Sequence, residues 1–135
     1  MRYKWIELYG YAGFYNGMGL SQIKIDFTMC KTNKIIIRGG NGSGKSTLIN
    51  AISPIRDSND CFIANTEARK NICIVNNGIE YIIRYIHPVT NSGRGTTKGY
   101  ISKLINNEFV ELNPNGNISS CENIIYEEFK LDSSF

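Results

Sequence analysis

Several residue types that would mark other classes of protein are scarce in this sequence. The 135 residues include four cysteines and a single histidine, His87. The cysteines at positions 30, 61, 73 and 121 lie far apart, and no two of them form a C-x-x-C pair. This spacing argues against a zinc site and predicts free thiols in a reducing cytosol, where each cysteine behaves as a small apolar group.

Long apolar runs and a strong excess of one charge are also missing. The N-terminus has no apolar segment of the kind found in signal peptides, and no uncharged apolar span is long enough to cross a bilayer. The net charge of +3 is too small to indicate nucleic-acid binding by itself, because such binding usually shows a clustered basic stripe. No internal repeat or coiled-coil heptad is present. We therefore expect one soluble, cytoplasmic domain over residues 1–135, with no membrane partner.

One glycine-rich segment matches a phosphate-binding motif in full. Residues 38–47 read RGGNGSGKST and contain the pattern G-x-x-x-x-G-K-[ST]. The β-branched run at 34–38 predicts a buried strand before the loop, and residues 48–52 predict a helix after it. This order of strand, loop and helix favours a nucleotide-phosphate site over the alternative, a simple glycine-rich turn.

The residue types in the loop suit ATP with Mg²⁺. Glycines permit positive φ, so that successive backbone N–H groups can point at phosphate oxygens. Lys45 can reach the β- and γ-phosphates, the Ser46 hydroxyl is placed to ligate Mg²⁺, and Thr47 offers a further hydroxyl. The predicted nucleotide-binding residues are Gly39, Gly40, Asn41, Gly42, Ser43, Gly44, Lys45, Ser46 and Thr47.

The first half of the chain contains two predicted strands besides the one before the phosphate loop. Residues 3–8 form an imperfect strand pattern, and residues 22–27 alternate apolar and polar side chains. The glycine- and tyrosine-rich segment 9–19 between them predicts a loop. Pro54 ends the helix after the phosphate loop, and residues 53–67 are expected to be irregular.

The second half predicts two hairpins and a helix, and hence an α/β fold of the α+β type with mixed sheets. Residues 70–75 and 79–86 flank Asn77-Gly78, a strong hairpin signal. Residues 100–105 and 108–112 form a second hairpin around positions 106–107, and residues 88–98 predict a mobile exposed loop. The capping-box pattern at 119–122 opens a helix that should end near Lys130.

Groups needed for hydrolysis are not apparent in the sequence. A P-loop ATPase also needs a carboxylate at the end of a second strand to hold Mg²⁺. Residues 124–128 imitate such a strand, but the capping box before them favours an amphipathic helix with solvated acids. No signature segment of the L-S-G-G-Q type is present. We therefore assign no catalytic residue, and we expect the isolated chain to bind ATP without hydrolysing it.

Six basic residues cluster loosely on and around the predicted hairpins, and two interpretations of them are open. The first is a solvated sheet face, which is favoured because no aromatic side chains are interleaved with them; the second is contact with DNA. The residues are Arg69, Lys70, Arg84, Arg94, Lys98 and Lys103.

These features together resemble the N-terminal ATPase lobe of SbcC-like DNA repair proteins, within the SMC and ABC-type ATPases. Residues 39–46 have the G-x-N-G-x-G-K-S form typical of those heads. The aromatic segment at 11–15, the strand ending at 25–27, the residues YIIR at 81–84 and the segment 124–135 are similar at the level of pattern. The loop sequence looks most like the bacteriophage version of this recombination exonuclease subunit.

The resemblance implies a partial active site and several partners. In that family a C-terminal lobe, separated by a coiled coil, carries the signature, the acidic strand and the histidine switch, so the chain is expected to be a fragment. Two ATP molecules would lie between two heads, and their engagement would control an SbcD-like nuclease on DNA ends. Relatives often carry a basic residue where this chain has Tyr11-Ala12-Gly13-Phe14. The alternative is a self-contained small P-loop module that binds or inhibits a larger ATPase.

Overall fold

The computed structural model describes residues 1–28, 36–40, 42 and 44–131. Within them the chain forms eight strands and three α-helices. The strands are β1 (Arg2–Tyr9), β2 (Gln22–Asp26), β3 (Ala68–Asn76), β4 (Ile79–His87), β5 (Val89–Thr90), β6 (Gly93–Arg94), β7 (Lys98–Ile105) and β8 (Glu108–Glu111). The helices are α1 (Ala12–Met18), α2 (Lys45–Ala51) and α3 (Ile118–Phe129).

Six of the strands form one antiparallel sheet in the order β2-β1-β3-β4-β7-β8. Both predicted hairpins are confirmed, β3 with β4 and β7 with β8. Their turns have the positive φ values that two-residue hairpin loops require: 53° at Asn77, 76° at Gly78, 51° at Asn106 and 65° at Asn107. The predicted α/β class with antiparallel hairpins is therefore confirmed.

One face of this sheet carries the hydrophobic core. Strand register places Ile6, Ile72, Ile83 and Ile101 side by side across four strands, and all four are fully buried. The helices cover the same face: α3 packs on β7, and its Phe129 ring meets Tyr81 edge to face. The alternation of apolar side chains along each strand is what brings them to one side.

The segment predicted as a loop at 9–19 contains helix α1 instead. Phe14 is buried on its inner side, and Gly19 ends the helix with a left-handed φ of 69°. The prediction was wrong because glycine weakens a helix locally, whereas burial of Phe14 against the rest of the fold supplies the stabilisation here.

The strand predicted over residues 34–38 is not observed in its described part. Residues 36–38 belong to no strand, and Ile36 is 76% exposed. Lys34 and Ile35 lie outside the described residues. A strand requires hydrogen bonds to a neighbouring strand, and no strand of the described sheet pairs with residues 36–38.

Helix α3 confirms the helical interpretation of residues 124–128, with two corrections. Its N-cap is Asn117, whose side-chain oxygen accepts a hydrogen bond from Ser120 N, two residues earlier than the predicted capping box. Glu127 is exposed as expected, but Glu128 accepts hydrogen bonds from Tyr81 and Lys103 and thereby fastens the helix to the sheet. Lys130 ends the helix in a left-handed conformation, as predicted.

The segment 88–98 is more ordered than the predicted exposed loop. It contains the short hairpin of β5 and β6, and Arg94 donates to the carbonyls of Ile63, Thr66 and His87. None of the described helices is long and apolar enough to span a membrane.

Candidate nucleotide-binding site

A cavity of about 250 Å³ lies at the predicted phosphate loop. Its lining combines the described part of the loop, the first turn of α2 and one residue of α1. The lining residues are Gly13, Gly40, Gly42, Gly44, Lys45, Ser46 and Thr47. The described loop residues other than Gly39 therefore line one space. Asn41 and Ser43 lie outside the described residues, and Gly39 is exposed and is not part of this lining.

The backbone conformation of the loop explains why two of its positions are occupied by glycine. Gly42 and Gly44 have φ values of 79° and 91°, a region in which side chains are strained. Gly44 is the N-cap of α2, and its carbonyl accepts the bond from Leu48 N at 3.0 Å. Gly40 does not adopt a positive φ.

Helix α1 is packed tightly against the loop and α2. A Cβ atom on Gly13 would lie 1.7 Å from Thr47 Oγ1 and 2.8 Å from Thr47 Cβ. A Cβ atom on Gly44 would lie 2.6 Å from the Phe14 ring. The unpredicted helix α1 therefore forms one wall of the cavity and restrains the position of the loop.

The chemistry of this lining fits a polyphosphate. Lys45 provides a positive charge, and the rest of the described lining provides hydroxyl groups and backbone N–H donors without a carboxylate. Ser46 is exposed at the second position of α2, where its hydroxyl can ligate Mg²⁺ held by the phosphates. Among the described residues, no group of three or more His, Cys, Asp or Glu side chains could hold a metal ion.

A second cavity of about 180 Å³ adjoins the first and shares Gly13 and Thr47 with it. Its walls come from the start of α1, one side of α2 and the segment after α2. The lining residues are Tyr11, Ala12, Gly13, Thr47, Asn50, Ala51, Asp57, Asp60 and Cys61. Sequence analysis missed this cavity because residues 53–67 carry no motif. The one feature that could have indicated it is the pair of acids after the predicted helix, Asp57 and Asp60.

Comparison with known families agrees with this geometry. A family model described as ABC transporter matches residues 23–105, which is more than half of the chain. This chain belongs to that family, the ABC-type ATPases. A comparison with curated proteins finds no match. The matched region begins in β2, includes the phosphate loop and α2, and ends with β7, so it contains most of the candidate site.

Membership establishes the coarse function of this ABC-type ATPase chain, which is nucleotide binding in an ATPase domain. The described part of the phosphate loop lies within the matched region. The finer identity of the ATPase is treated below as a proposal.

The six basic residues on the hairpins of this ABC-type ATPase do not form one solvated face, so that interpretation needs correction. Lys70 is completely buried. Arg69, Arg84 and Lys103 pair with carboxylates of the same chain, and Arg94 binds backbone carbonyls. Intramolecular partners therefore occupy most of this charge.

His87 packs against Phe62, with the ring centroids 4.3 Å apart and the ring planes tilted by 41°. It is 1% exposed; its Nδ1 lies 3.2 Å from Thr97 Oγ1, and its Nε2 has no hydrogen-bond partner among the described residues. The pKa of His87 is lowered to about 4, chiefly by burial; the cations Lys70, Arg94 and Arg56 contribute in the same direction, and Asp57 opposes them.

This buried histidine makes stability depend on pH. Its ordinary pKa of 6.5 applies to the unfolded chain, so the unfolded state binds more protons between pH 4 and 6.5. The stabilisation is complete above pH 6.5 and is lost as the pH falls toward 4; it amounts to about 3 kcal/mol. Urea unfolding at several pH values should show a shallower pH dependence for His87→Gln than for the parent chain. Parallel profiles for the two proteins would contradict this.

Proposed function

We propose that this chain is the ATP-binding lobe of a DNA recombination and repair ATPase of the SbcC-like type. In this proposal it binds Mg·ATP, is completed by a C-terminal lobe of the same protein or by a second copy, and dimerises on ATP to regulate an SbcD-like nuclease on DNA ends. The observation that carries it is the cavity at the phosphate loop, whose described lining holds Lys45 and Ser46 but no carboxylate.

The two adjoining cavities suggest how ATP is oriented. Lys45 and the loop N–H groups would hold the β- and γ-phosphates, and Ser46 would hold Mg²⁺. When bound, Mg²⁺ neutralises charge that develops on the phosphate oxygens. The second cavity is joined to the first through Gly13 and Thr47, so it is the natural position for the adenosine end of the nucleotide.

Apolar surface near the loop supports a covering lobe. Ile36 is 76% exposed just before the phosphate loop, and Ile49 is 58% exposed on α2. Both side chains belong to segments that flank the phosphate loop along the chain, so a lobe that covers the loop would have apolar side chains to contact on each side of it. A second lobe at this position would bury them and would bring the missing carboxylate to the phosphates.

The proposed role at DNA ends rests on the resemblance in the phosphate loop rather than on the hairpins. Because most of the hairpin cations are already paired within the chain, we assign DNA contact to the assembled complex and its nuclease.

The first test asks whether the chain alone binds Mg·ATP without hydrolysing it. We expect the purified chain to bind Mg·ATP, measured by calorimetry, while its phosphate release equals that of Lys45→Ala, because the described lining lacks a group to orient water. Sustained turnover that depends on Lys45 would show that the chain alone holds a complete site, contrary to the proposal.

The second test concerns the DNA role. The chain is combined with an SbcC-type C-terminal lobe and an SbcD-type nuclease, and cleavage of linear DNA is measured with and without ATP. ATP should change the cleavage rate with the parent chain and not with Lys45→Ala. If both chains leave cleavage unchanged although the parent binds ATP, the repair assignment fails and the nucleotide-binding assignment stands.

A further inference from the structure

Lys70 is a lysine whose side chain lies entirely within the core. It stands on β3 in register between Leu8 of β1 and Tyr85 of β4, on the face that carries the apolar core. Its exposure is 0%. A buried ammonium group is costly unless every one of its donors is paired, and an apolar side chain of similar size would normally occupy this position.

The ammonium group of Lys70 is fully paired, and all its partners belong to the segment after α2. Its Nζ lies 2.8 Å from Ser53 O, 2.7 Å from Ile55 O and 3.1 Å from Asp57 Oδ2. These three acceptors match the three donors of an ammonium group. Burial lowers the pKa of Lys70, and the neighbouring Asp57 opposes that shift.

Other bonds hold the same segment from both sides. The Tyr85 hydroxyl donates a hydrogen bond to Pro54 O at 2.9 Å. Together, Tyr85 and Lys70 therefore bind three consecutive backbone carbonyls after α2, those of residues 53, 54 and 55. Tyr11 donates its hydroxyl to the same carboxylate oxygen of Asp57 that Lys70 contacts. Both Tyr11 and Asp57 line the second cavity.

We propose that Lys70 is a positioning residue for the nucleoside end of the bound nucleotide. By holding Asp57, and through it the Tyr11 hydroxyl, Lys70 sets the shape and the acceptor pattern of the cavity beside the phosphate loop. The phosphate cavity includes neither Asp57 nor Tyr11, so Lys70 acts on one end of the ligand only. This inference rests on the proposed function, in which that cavity receives adenosine.

The test compares two ligands that share the phosphate end. Binding of Mg·ATP and of magnesium tripolyphosphate is measured by calorimetry for the parent chain and for Lys70→Met. We expect Lys70→Met to weaken ATP binding roughly tenfold, the equivalent of one ordinary hydrogen bond to the nucleoside, because Asp57 and the Tyr11 hydroxyl are no longer held in place. Tripolyphosphate binding should remain within about twofold.

Two further variants separate positioning from general destabilisation. Tyr11→Phe removes the hydroxyl that donates to Asp57 and keeps the buried ring. It should shift the ratio of the ATP and tripolyphosphate affinities in the same direction as Lys70→Met. If Lys70→Met does not fold, the result for Tyr11→Phe tests the positioning role. Asn113→Ala is the matched control: the Asn113 amide binds Ile101 N and Gly99 O, and none of these residues lines either cavity, so its loss should lower stability and leave the ratio unchanged.

Each outcome has one meaning. The positioning role is overturned if Lys70→Met weakens the binding of ATP and of tripolyphosphate equally. It is also overturned if the ratio of these two affinities is unchanged in both Lys70→Met and Tyr11→Phe. A parent chain that binds ATP no more tightly than tripolyphosphate also overturns it, while the phosphate site stands. If Lys45→Ala leaves the binding of both ligands intact, the proposed function itself fails.

Discussion

Lys45→Ala is expected to abolish the binding of Mg·ATP while leaving the fold intact. Lys45 is the cation of the described phosphate cavity, at the first position of α2, and its side chain is not part of the buried core. Loss of its charged hydrogen bonds to two phosphates should cost about 3 kcal/mol or more, which is roughly a hundredfold or greater loss of affinity.

Calorimetric titration with Mg·ATP and urea unfolding of the same samples test this expectation. Lys98→Ala is the matched control, since it removes an equal charge from an exposed position at the start of β7. The control should bind ATP as the parent does. Unchanged affinity in Lys45→Ala would mean that the cavity does not hold the phosphates.

Gly44→Ala is expected to have the largest effect on stability. The residue has a φ of 91°, and a Cβ atom there would lie 2.6 Å and 2.9 Å from two atoms of the Phe14 ring. The strained backbone should cost about 1 to 2 kcal/mol, and displacing the ring about 1 to 2 kcal/mol more. We therefore expect the free energy of unfolding to fall by about 2 to 4 kcal/mol, with a parallel loss of ATP binding, because Gly44 starts the helix that carries Lys45 and Ser46.

Two other glycines of the loop allow these contributions to be separated. Gly42→Ala introduces backbone strain alone, since φ is 79° and no atom lies within 4 Å of the added Cβ. Gly40→Ala introduces neither strain nor contact. In the absence of nucleotide, the free energy of unfolding should be lowest for Gly44→Ala, higher for Gly42→Ala and highest for Gly40→Ala. Adding Phe14→Leu to Gly44→Ala should restore part of the lost stability, because the clash with the Phe14 ring is relieved. Equal stability of all three alanine variants would contradict this clash.

The parts of the fold that were predictable are those governed by local chemistry. Asn77-Gly78 and Asn106-Asn107 mark their turns because few other residues accept positive φ, and the alternation along the flanking strands then fixes which side chains face inward. The phosphate loop is of the same kind, since its function depends on residues that are contiguous along the chain.

The failures of prediction have a common physical cause. Helix α1 contains two glycines and has weak intrinsic preference, but it forms because Phe14 is buried and Gly13 allows close approach to Thr47. In the opposite direction, the apolar run that includes Ile36 was predicted as a strand but has no pairing strand in the described sheet. In both cases contacts between distant segments outweigh the local preference.

The sequence by itself determined the phosphate-binding motif, because Gly42, Gly44, Lys45 and Ser46 lie within five consecutive residues of the chain. Only the tertiary structure decided that Lys70, expected on a solvated face, lies in the core and binds Asp57 beside a second cavity. No pattern in one strand can show this, since the buried charge is tolerated only when acceptors from a segment 15 or 17 residues away surround it.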